Sequence, residues 1–540
     1  MIRKVILSAF FFALFCGASN LFSQVWEYSL THAYEDERHY FFDAMEMSDG
    51  NIAVASEFYY RSGFGDFYSA HPAVTLISPD GIELARNNFF RPGYTSMSYA
   101  PYLFENDGEL FALSTYSPEH DPLSFNHFLN YDNPPTDAII ALYKLDENLN
   151  LLESYEHSFP IDTFEKRGNP TWEYLPNEYS GNIFLFSAFE DEGDIIGVYM
   201  KTVSWDNNNP RGNDTLFFFR MNFTGEIVNI KGYEQDTYGG WYQSNYRRNH
   251  IVATDSHYIF YDRATNGRHG TITYYDKEFN YVTEKYMTHP DYNIQYPLVD
   301  PLRDITVVKA NDSTTYLSVT ASNIQDPSSD YYNDCRLYKL DDNIETTPQF
   351  LSTDNYIIRG NDYTYDRPAL LRAVDVAPDN TLYLACNYDI DGKPYSVIEH
   401  LNADLDTITT YYYDKSIGSI KTTKDGHFIV NNNSYIAIFP ETLSIEEAQD
   451  CGLKLAVVYP NPGGDVMNIR TGLRNATLSV YDIQGRLVHQ QEITDDVTSV
   501  DVSSWKRGTY VWELGTGNGN EYGTGSRSGN GILESGKWVK

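Results

Sequence analysis

Apolar and polar residues alternate along most of this chain in runs too short for helices. Stretches rich in Tyr, Phe, Val, Ile and Thr are separated by clusters of Asp, Asn, Gly and Ser. No long 3.6-residue periodicity interrupts them, so the pattern predicts an all-β protein. A recurring unit sharpens this expectation. A turn signal followed by an apolar strand occurs at MSDGNIAVASEF (47–58), ENDGELFALSTY (105–116) and YSGNIFLFSAF (179–189). It returns at ATDSHYIFYD (253–262), ANDSTTYLSVTA (310–321), APDNTLYLACNY (377–388) and TKDGHFIVNN (423–432). Asp, Asn and Gly at these points accept the left-handed or Asx-turn geometry of a tight hairpin.

After each of the first six copies comes a second unit: a strand, a short turn and another strand. Examples are AVTLISPDGIELARNNF (73–89), AIIALYKLDENLNLLESYEH (138–157) and YSVIEHLNADLDTITTYYYD (395–414). The two units together make four antiparallel strands, the content of one β-propeller blade. The seventh copy ends after one further strand, SYIAIFPE (434–441), and lacks a fourth. At the other end, VWEYSLTH (25–32) precedes the first blade without a partner of its own. The expectation is a seven-bladed propeller over 24–441, closed by that N-terminal strand. Six blades is the rival count, because DSHYIF in the fourth copy carries the weakest turn signal.

This topology sorts the connections between two ends of the propeller. First-to-second and third-to-fourth turns share one end and are short: SDGN, NDGE, LDEN, LDDN and FTGE. The opposite end is expected to carry long segments such as 59–72, 117–137, 190–214 and 322–334, with the interblade crossings 91–101, 235–249 and 354–368. Long connections on a rigid scaffold are where binding usually resides. Aromatic residues of these segments can stack on sugars or anchor protein partners. The candidates for ligand binding are Trp241, Tyr242, Tyr59, Tyr60, Trp172, Tyr331 and Tyr332. For any single one of them, packing beneath its own loop is the simpler alternative.

Charge and chemistry narrow the function further. The net charge is −36. Residues 453–540 are balanced, so the acid excess falls on the preceding cargo. Such a surface repels phosphate backbones and argues against nucleic acid as a partner. No serine-hydrolase, zincin, P-loop or Cys-x-x-Cys spacing occurs, so no catalytic residue is assigned. Carboxylate pairs for glycoside hydrolysis cannot be chosen, because the separation they need is spatial. No cofactor is expected, with one open alternative. The acidic clusters Glu190-Asp191-Glu192-Gly193-Asp194 and Asp389-Ile390-Asp391-Gly392 have the oxygen-rich composition of Ca²⁺ sites but not the full loop spacing. Solvated turns are their simpler reading. Cys335, Cys386 and Cys451 indicate no disulfide framework.

The termini speak to localisation. Arg3 and Lys4 precede an apolar run from Val5 to Phe15 and then small residues, the profile of a secretory signal ending at Ser23. No later stretch has the length of a membrane helix. Residues 442–452 read as a linker. From Leu453 the text changes, with YPNP (459–462), LSVYDIQGRLV (478–488), VDVSSW (500–505), GTYVWEL (508–514) and a terminal Lys540. In that order these pieces closely resemble the type A sorting domain of type IX secreted proteins. Pro460, Asn461, Pro462, Asp482, Gly485, Gly508, Tyr510 and Lys540 carry the resemblance. It implies a small β-sandwich over 453–540 as the address read by the type IX secretion machinery, its removal after transit, and a cargo released or held at the cell surface. The cargo's expected role is non-catalytic binding of a glycan or protein. A secreted propeller lyase or hydrolase and a structural envelope component are the two rivals.

Overall fold

A computed structural model gives the architecture. It describes residues 26–29, 37–61, 68–92, 94–96, 100–118, 137–160, 163–165, 178–180, 183–201, 214–235, 251–263, 270–287, 299–309, 315–323, 332–340, 349–350, 367–390, 393–424, 426–432, 435–439, 453–473, 476–516 and 532–540. Among these residues every regular element is a strand, and the chain is all-β.

Seven antiparallel sheets of four or five strands, and one two-stranded pair, precede the C-terminal domain among the described residues. Sheet I joins Glu37–Glu46, Ile52–Arg61, Tyr68–Ile77 and Glu83–Asn88. Sheet II sets Tyr94–Ser96 and Tyr102–Asn106 against Glu109–Pro118, followed by Asp137–Leu145 and Leu151–Pro160. Sheet III contains Ile183–Asp191, Asp194–Lys201, Asp214–Met221 and Ile227–Gln235, and sheet IV Ile251–Ala253, His257–Arg263, Gly270–Asp276 and Tyr281–Met287. Sheet V holds Val299–Lys309, Thr315–Asn323, Tyr332–Leu340 and Gln349–Phe350. Sheet VI holds Arg367–Val376, Leu382–Ile390, Lys393–Leu401 and Thr407–Tyr413, and sheet VII Ser419–Thr422, Phe428–Asn432 and Tyr435–Phe439. The fourth strand of sheet VII is Trp26–Ser29, running antiparallel to Tyr435–Phe439 with Trp26 opposite Ile438 and Ser29 opposite Tyr435.

The third copy of the repeat is laid out differently from its sequence reading. Ile183–Asp191 is the first strand of sheet III and not the second, and Asp194–Lys201 occupies part of the expected 190–214 loop. The tight turn is Glu192-Gly193, at φ of 55° and 81°, between paired Asp191 and Asp194. Two successive positive φ values suit the right-handed twist of a hairpin, and Asp107-Gly108 turns sheet II in the same way. The preceding Glu178–Ser180 pairs instead with Thr163–Glu165.

The third-to-fourth turns of sheets II, III, IV and VI share one chemistry. Asp146, Asn222, Asp276 and Asn402 each accept two backbone N–H groups through one side-chain oxygen, closing an Asx-type turn. The residue before the last position of each turn is left-handed: Leu149, Gly225, Phe279 and Leu405, at φ of 59°, 78°, 63° and 68°. A non-glycine residue there costs roughly 1–2 kcal/mol. Burial offsets this cost at two positions, since Leu149 and Phe279 are enclosed between neighbouring sheets. The carbonyl of this residue is also bound from the sheet before it. Asn87 Nδ2 donates to Leu149 at 2.7 Å, His157 Nε2 lies 2.6 Å from the Gly225 oxygen, and Tyr233 Oη donates to Phe279 at 2.5 Å. The same step thus relates sheet I to II, II to III and III to IV.

Apolar contacts follow the same succession. Val74 and Leu76 of sheet I pack with Leu110 and Tyr143 of sheet II. Leu113 and Leu142 meet Leu185 and Phe219 of sheet III, and Phe218 meets Phe260 and Tyr275 of sheet IV. The first strand of sheet V lies beside sheets IV and VI. Tyr383 and Tyr411 of sheet VI pack with Phe428 and Phe439 of sheet VII. Sheet VII in turn packs on sheet I through Ile429 and Ile436 against Val54 and Ile77. The N-terminal strand reaches both neighbours. Tyr28 binds Glu83 and takes a hydrogen bond from Arg86 of sheet I at 2.7 Å, while Glu27 pairs with Lys415 and accepts from Tyr413 Oη of sheet VI at 3.0 Å.

Candidate functional site

Two regions carry the candidate residues. At the end of the sheets reached by the longer connections, Tyr59 and Tyr60 close the strand Ile52–Arg61 and Tyr332 opens Tyr332–Leu340. Their side chains, like Trp172, Trp241, Tyr242 and Tyr331 altogether, lie outside the described residues. Tyr94, in the crossing 91–101 of this end, is described with its contacts. It is half-buried, with the Arg91 guanidinium 4.9 Å from its ring centre and Tyr116 packed edge-on. Arg91 is fixed by two hydrogen bonds to Glu156, at 2.8 and 3.0 Å. The face of Tyr94 is therefore occupied, and its role is packing.

His71 lies in the same half of sheet I, 1% exposed, against Phe90 at 4.6 Å and Phe58 at 6.5 Å between ring centres. Among the described residues neither ring nitrogen has a hydrogen-bond partner, and burial pushes its pKa down to about 4. A group whose folded pKa is depressed below the usual 6.5 binds fewer protons when folded. The stability it permits is lost as pH falls from 6.5 through 4. We expect the cargo to lose about 2–4 kcal/mol over that window through this residue. His71→Phe keeps the ring in its apolar site and should remove that part of the acid sensitivity. Urea melts of both proteins at pH 7 and pH 4.5 check it, and parallel losses in the two would exclude His71 as the cause.

The acidic segment Glu190–Asp194 proves to be a turn tied into an ion-pair network. Asp191 pairs with Lys277 at 2.9 Å and accepts from Tyr258 Oη at 2.8 Å, while Arg220 reaches Asp194 at 3.7 Å. The two contacts of Asp191 join sheets III and IV. Asp389 and Ile390 pair with Pro394 and Lys393 across another hairpin.

The second region is the C-terminal domain, and here every residue singled out in the sequence is described. Ala456–Tyr459, Val466–Thr471 and Val497–Asp501 form one sheet. Leu487–Ile493, Ala476–Asp482, Thr509–Thr516 and Ile532–Val539 form the other. Met467, Ile469 and Val500 of the first sheet face Leu478, Val480, Trp512 and Leu514 of the second, a two-layer sandwich. The Pro460-Asn461-Pro462 segment is stitched to the last strand. Trp538 Nε1 donates to the Pro460 carbonyl at 2.6 Å, Asn461 Nδ2 donates to Lys537 O at 2.9 Å, and Val539 N donates back to Asn461 Oδ1 at 3.0 Å. A side chain at Gly463 would put its Cβ 2.3 Å from the Trp538 ring, so only glycine fits.

Asp482 and Gly485 make a third-to-fourth-type turn like those of the cargo. Asp482 accepts from the Gln484 and Arg486 amides, Gly485 takes φ of 76°, and Arg486, bonded to the carboxylate, holds its pKa below the usual range. Gly508 pairs with Lys540 through backbone hydrogen bonds. Tyr510 Oη donates to Lys506 O at 2.6 Å, and its ring lies 4.8 Å from Trp505. The Lys540 side chain, 10% exposed, folds inward. Its ammonium donates to the carbonyls of Val502, Ser503 and Trp505, with the Asp465 carboxylate 3.6 Å away. Pro460, Asn461, Gly508, Tyr510 and Lys540, far apart in the chain, therefore fasten one closed end of the sandwich.

Sequence reasoning passed over Trp538, Leu455 and Glu534. Trp538 is fully buried between Trp505 and Tyr510. Glu534 is 5% exposed and accepts from the Leu455 amide and from the Ala456 amide at 2.9 Å. Burial pushes its pKa up to about 7, against the opposing pull of these amides and of Lys454.

Comparison with known proteins adds the following. No curated protein matches the chain. Among solved structures, a GH93 alpha-L-arabinofuranosidase of Fusarium graminearum with arabinobiose is 11% identical, with a TM-score of 0.39 over 77% of this chain and 98% of that one. PorZ, a bacterial surface component of the type-IX secretion system of Porphyromonas gingivalis, is 11% identical, with a TM-score of 0.20 over 92% of this chain and 81% of that one. A Hadza microbial sialidase is 7% identical, with a TM-score of 0.36 over 77% and 68%. Likenesses this loose assign neither activity nor ligand. The family model of the secretion system C-terminal sorting domain matches residues 457–523, which span most of the sandwich and the Asp482–Gly485 turn. The C-terminal domain of this chain is a type IX secretion system C-terminal sorting domain.

Proposed function

We propose that this is a cargo of type IX secretion, entering the periplasm by a signal peptide at 1–23. Its sheets I–VII form a seven-bladed propeller closed by Trp26–Ser29, and the end bearing the longer connections binds a glycan or a protein without catalysis. The pairing of Trp26–Ser29 with Tyr435–Phe439 and the packing of sheet VII on sheet I support closure. The repeated step from each sheet to the next supports a regular ring.

The observation that carries the binding assignment is the inequality of the two ends. Among the described residues, first-to-second and third-to-fourth strands are joined by turns such as 107–108, 146–150, 192–193, 222–226 and 402–406. These do little more than reverse the chain. Second-to-third strands of sheets II and III are separated by 119–136 and 202–213, and sheets III and IV by 236–250. Segments of that length, rich in Tyr, Trp, Asn and Asp, supply stacking surface and hydrogen-bonding groups together.

The test is a glycan and protein binding screen with the mature chain, followed by calorimetry on the ligand found. Trp241→Ala or Tyr242→Ala should cost more than ~2 kcal/mol of affinity, and Asn148→Ala, in the turn 146–150, should cost nothing measurable. Loss confined to Asn148→Ala would place the binding surface at the wrong end. Turnover of a bound glycan would replace binding with catalysis.

A further inference from the structure

The sorting domain does not merely follow the cargo in the chain. Its first residues, Leu453–Lys454, add a fifth strand to sheet VI, with Leu453 opposite Tyr413 and Lys454 opposite Tyr412. Leu455 is 5% exposed and belongs to the same apolar cluster as Tyr411, Tyr413, Tyr435 and Phe439, so it plugs the seam between sheets VI and VII. Leu473 and Leu533 pack on that cluster and on the core of the sandwich at once. Next to the plug, Val457 and Tyr459 meet Val397, Tyr412 and Tyr395. On the flank, Gly472 approaches Thr410 so closely that an added Cβ would lie 2.6 Å from Thr410 Oγ1. The last strand clamps this segment from the other side, through Glu534 and the Leu455 and Ala456 amides.

We propose that Leu453–Val457 is a non-covalent latch: a cut within 442–452 leaves the sorting domain seated on sheet VI, and its departure is a separate step. Two features of the latch resist that departure, and a third keeps the latch in shape. The added strand satisfies backbone groups at an otherwise open sheet edge. The Leu455 side chain would have to leave an apolar seam for water. Glu534 lies in the same piece as the Leu455 and Ala456 amides and stays with them on departure; by accepting from both it keeps the latch segment in its seated conformation. None of this depends on what the cargo binds, so the proposal stands or falls apart from the binding assignment.

The experiment replaces residues 444–449 of the full chain with a specific protease site, cuts the purified protein and follows both pieces by size exclusion at about 1 µM. The expected result is co-elution, with a dissociation constant well below that concentration. Leu455→Ala should weaken retention by at least about tenfold. Glu534→Ala should weaken retention indirectly, by leaving the two amides without an acceptor in the seated conformation of the latch, whereas Glu534→Gln, which keeps an acceptor oxygen in place, should restore retention. Gly472→Leu wedges the flank from an exposed position outside the core of the sandwich, so its release of a folded fragment guards against loss through misfolding. Separation of the unaltered pieces on cutting would overturn the proposal. So would retention unaffected by Leu455→Ala, Glu534→Ala and Gly472→Leu alike.

Discussion

Removing Trp26–Ser29 from the mature chain should lower the stability of the cargo by several kcal/mol, on the order of 3–6. The strand supplies a ladder to Tyr435–Phe439 over its full length. Without it, the backbone groups of that strand face water along an open edge. The loss also reaches two neighbours. Tyr28 leaves Glu83 and Arg86 of sheet I, and Glu27 leaves Lys415 and Tyr413 of sheet VI. These polar contacts are partly exposed and worth little singly, so most of the loss should come from the ladder and from uncovering Ile436 and Ile438. The double variant Tyr28→Phe, Glu27→Gln separates the two contributions and should cost no more than about 1 kcal/mol. Equilibrium urea unfolding checks both. A deletion that melts like the intact chain would mean that the N-terminal strand seals nothing.

Trp538→Ala should cost the sorting domain about 3–5 kcal/mol, enough to unfold a domain of this size in a large share of molecules. The ring is wholly buried, with Trp505 at 6.3 Å and Tyr510 at 6.0 Å between ring centres. Truncation opens a cavity among aromatic neighbours and leaves the Pro460 carbonyl without its donor. Gly463→Ala attacks the same packing from the other side, because its Cβ would collide with the Trp538 ring, and should fail similarly. Tryptophan fluorescence and circular dichroism in urea would show the sandwich melting early. A sandwich transition unmoved by either change would remove the Trp538 contact from the structural reasons for the Pro-Asn-Pro-Gly segment.

What could be read in the sequence was whatever a few adjacent residues decide. Asp107-Gly108 and Asp482-Gly485 announce turns because their conformations are local demands, and the strands between them follow from the apolar runs. The third copy misled for a related reason. Ser-Gly-Asn at 180–182 looks a better turn than Glu192-Gly193, and nothing local to the acids around the latter tells that Asp191 and Asp194 meet Lys277, Tyr258 and Arg220. Leu149 and Phe279 were illegible as left-handed residues, since packing between sheets imposes that conformation and the side chain does not prefer it. Leu455 and Glu534 carry no local signal that sets them apart. Their roles exist only once sheet VI and the last strand of the chain come together around them.

The most direct test is fractionation of cells that produce either the full chain or a version ending at residue 452. The full chain should reach the surface or the medium, and the shortened one should accumulate in the periplasm as folded, protease-resistant cargo. Equal amounts of both outside the cell would contradict the role of residues 453–540 as the export address.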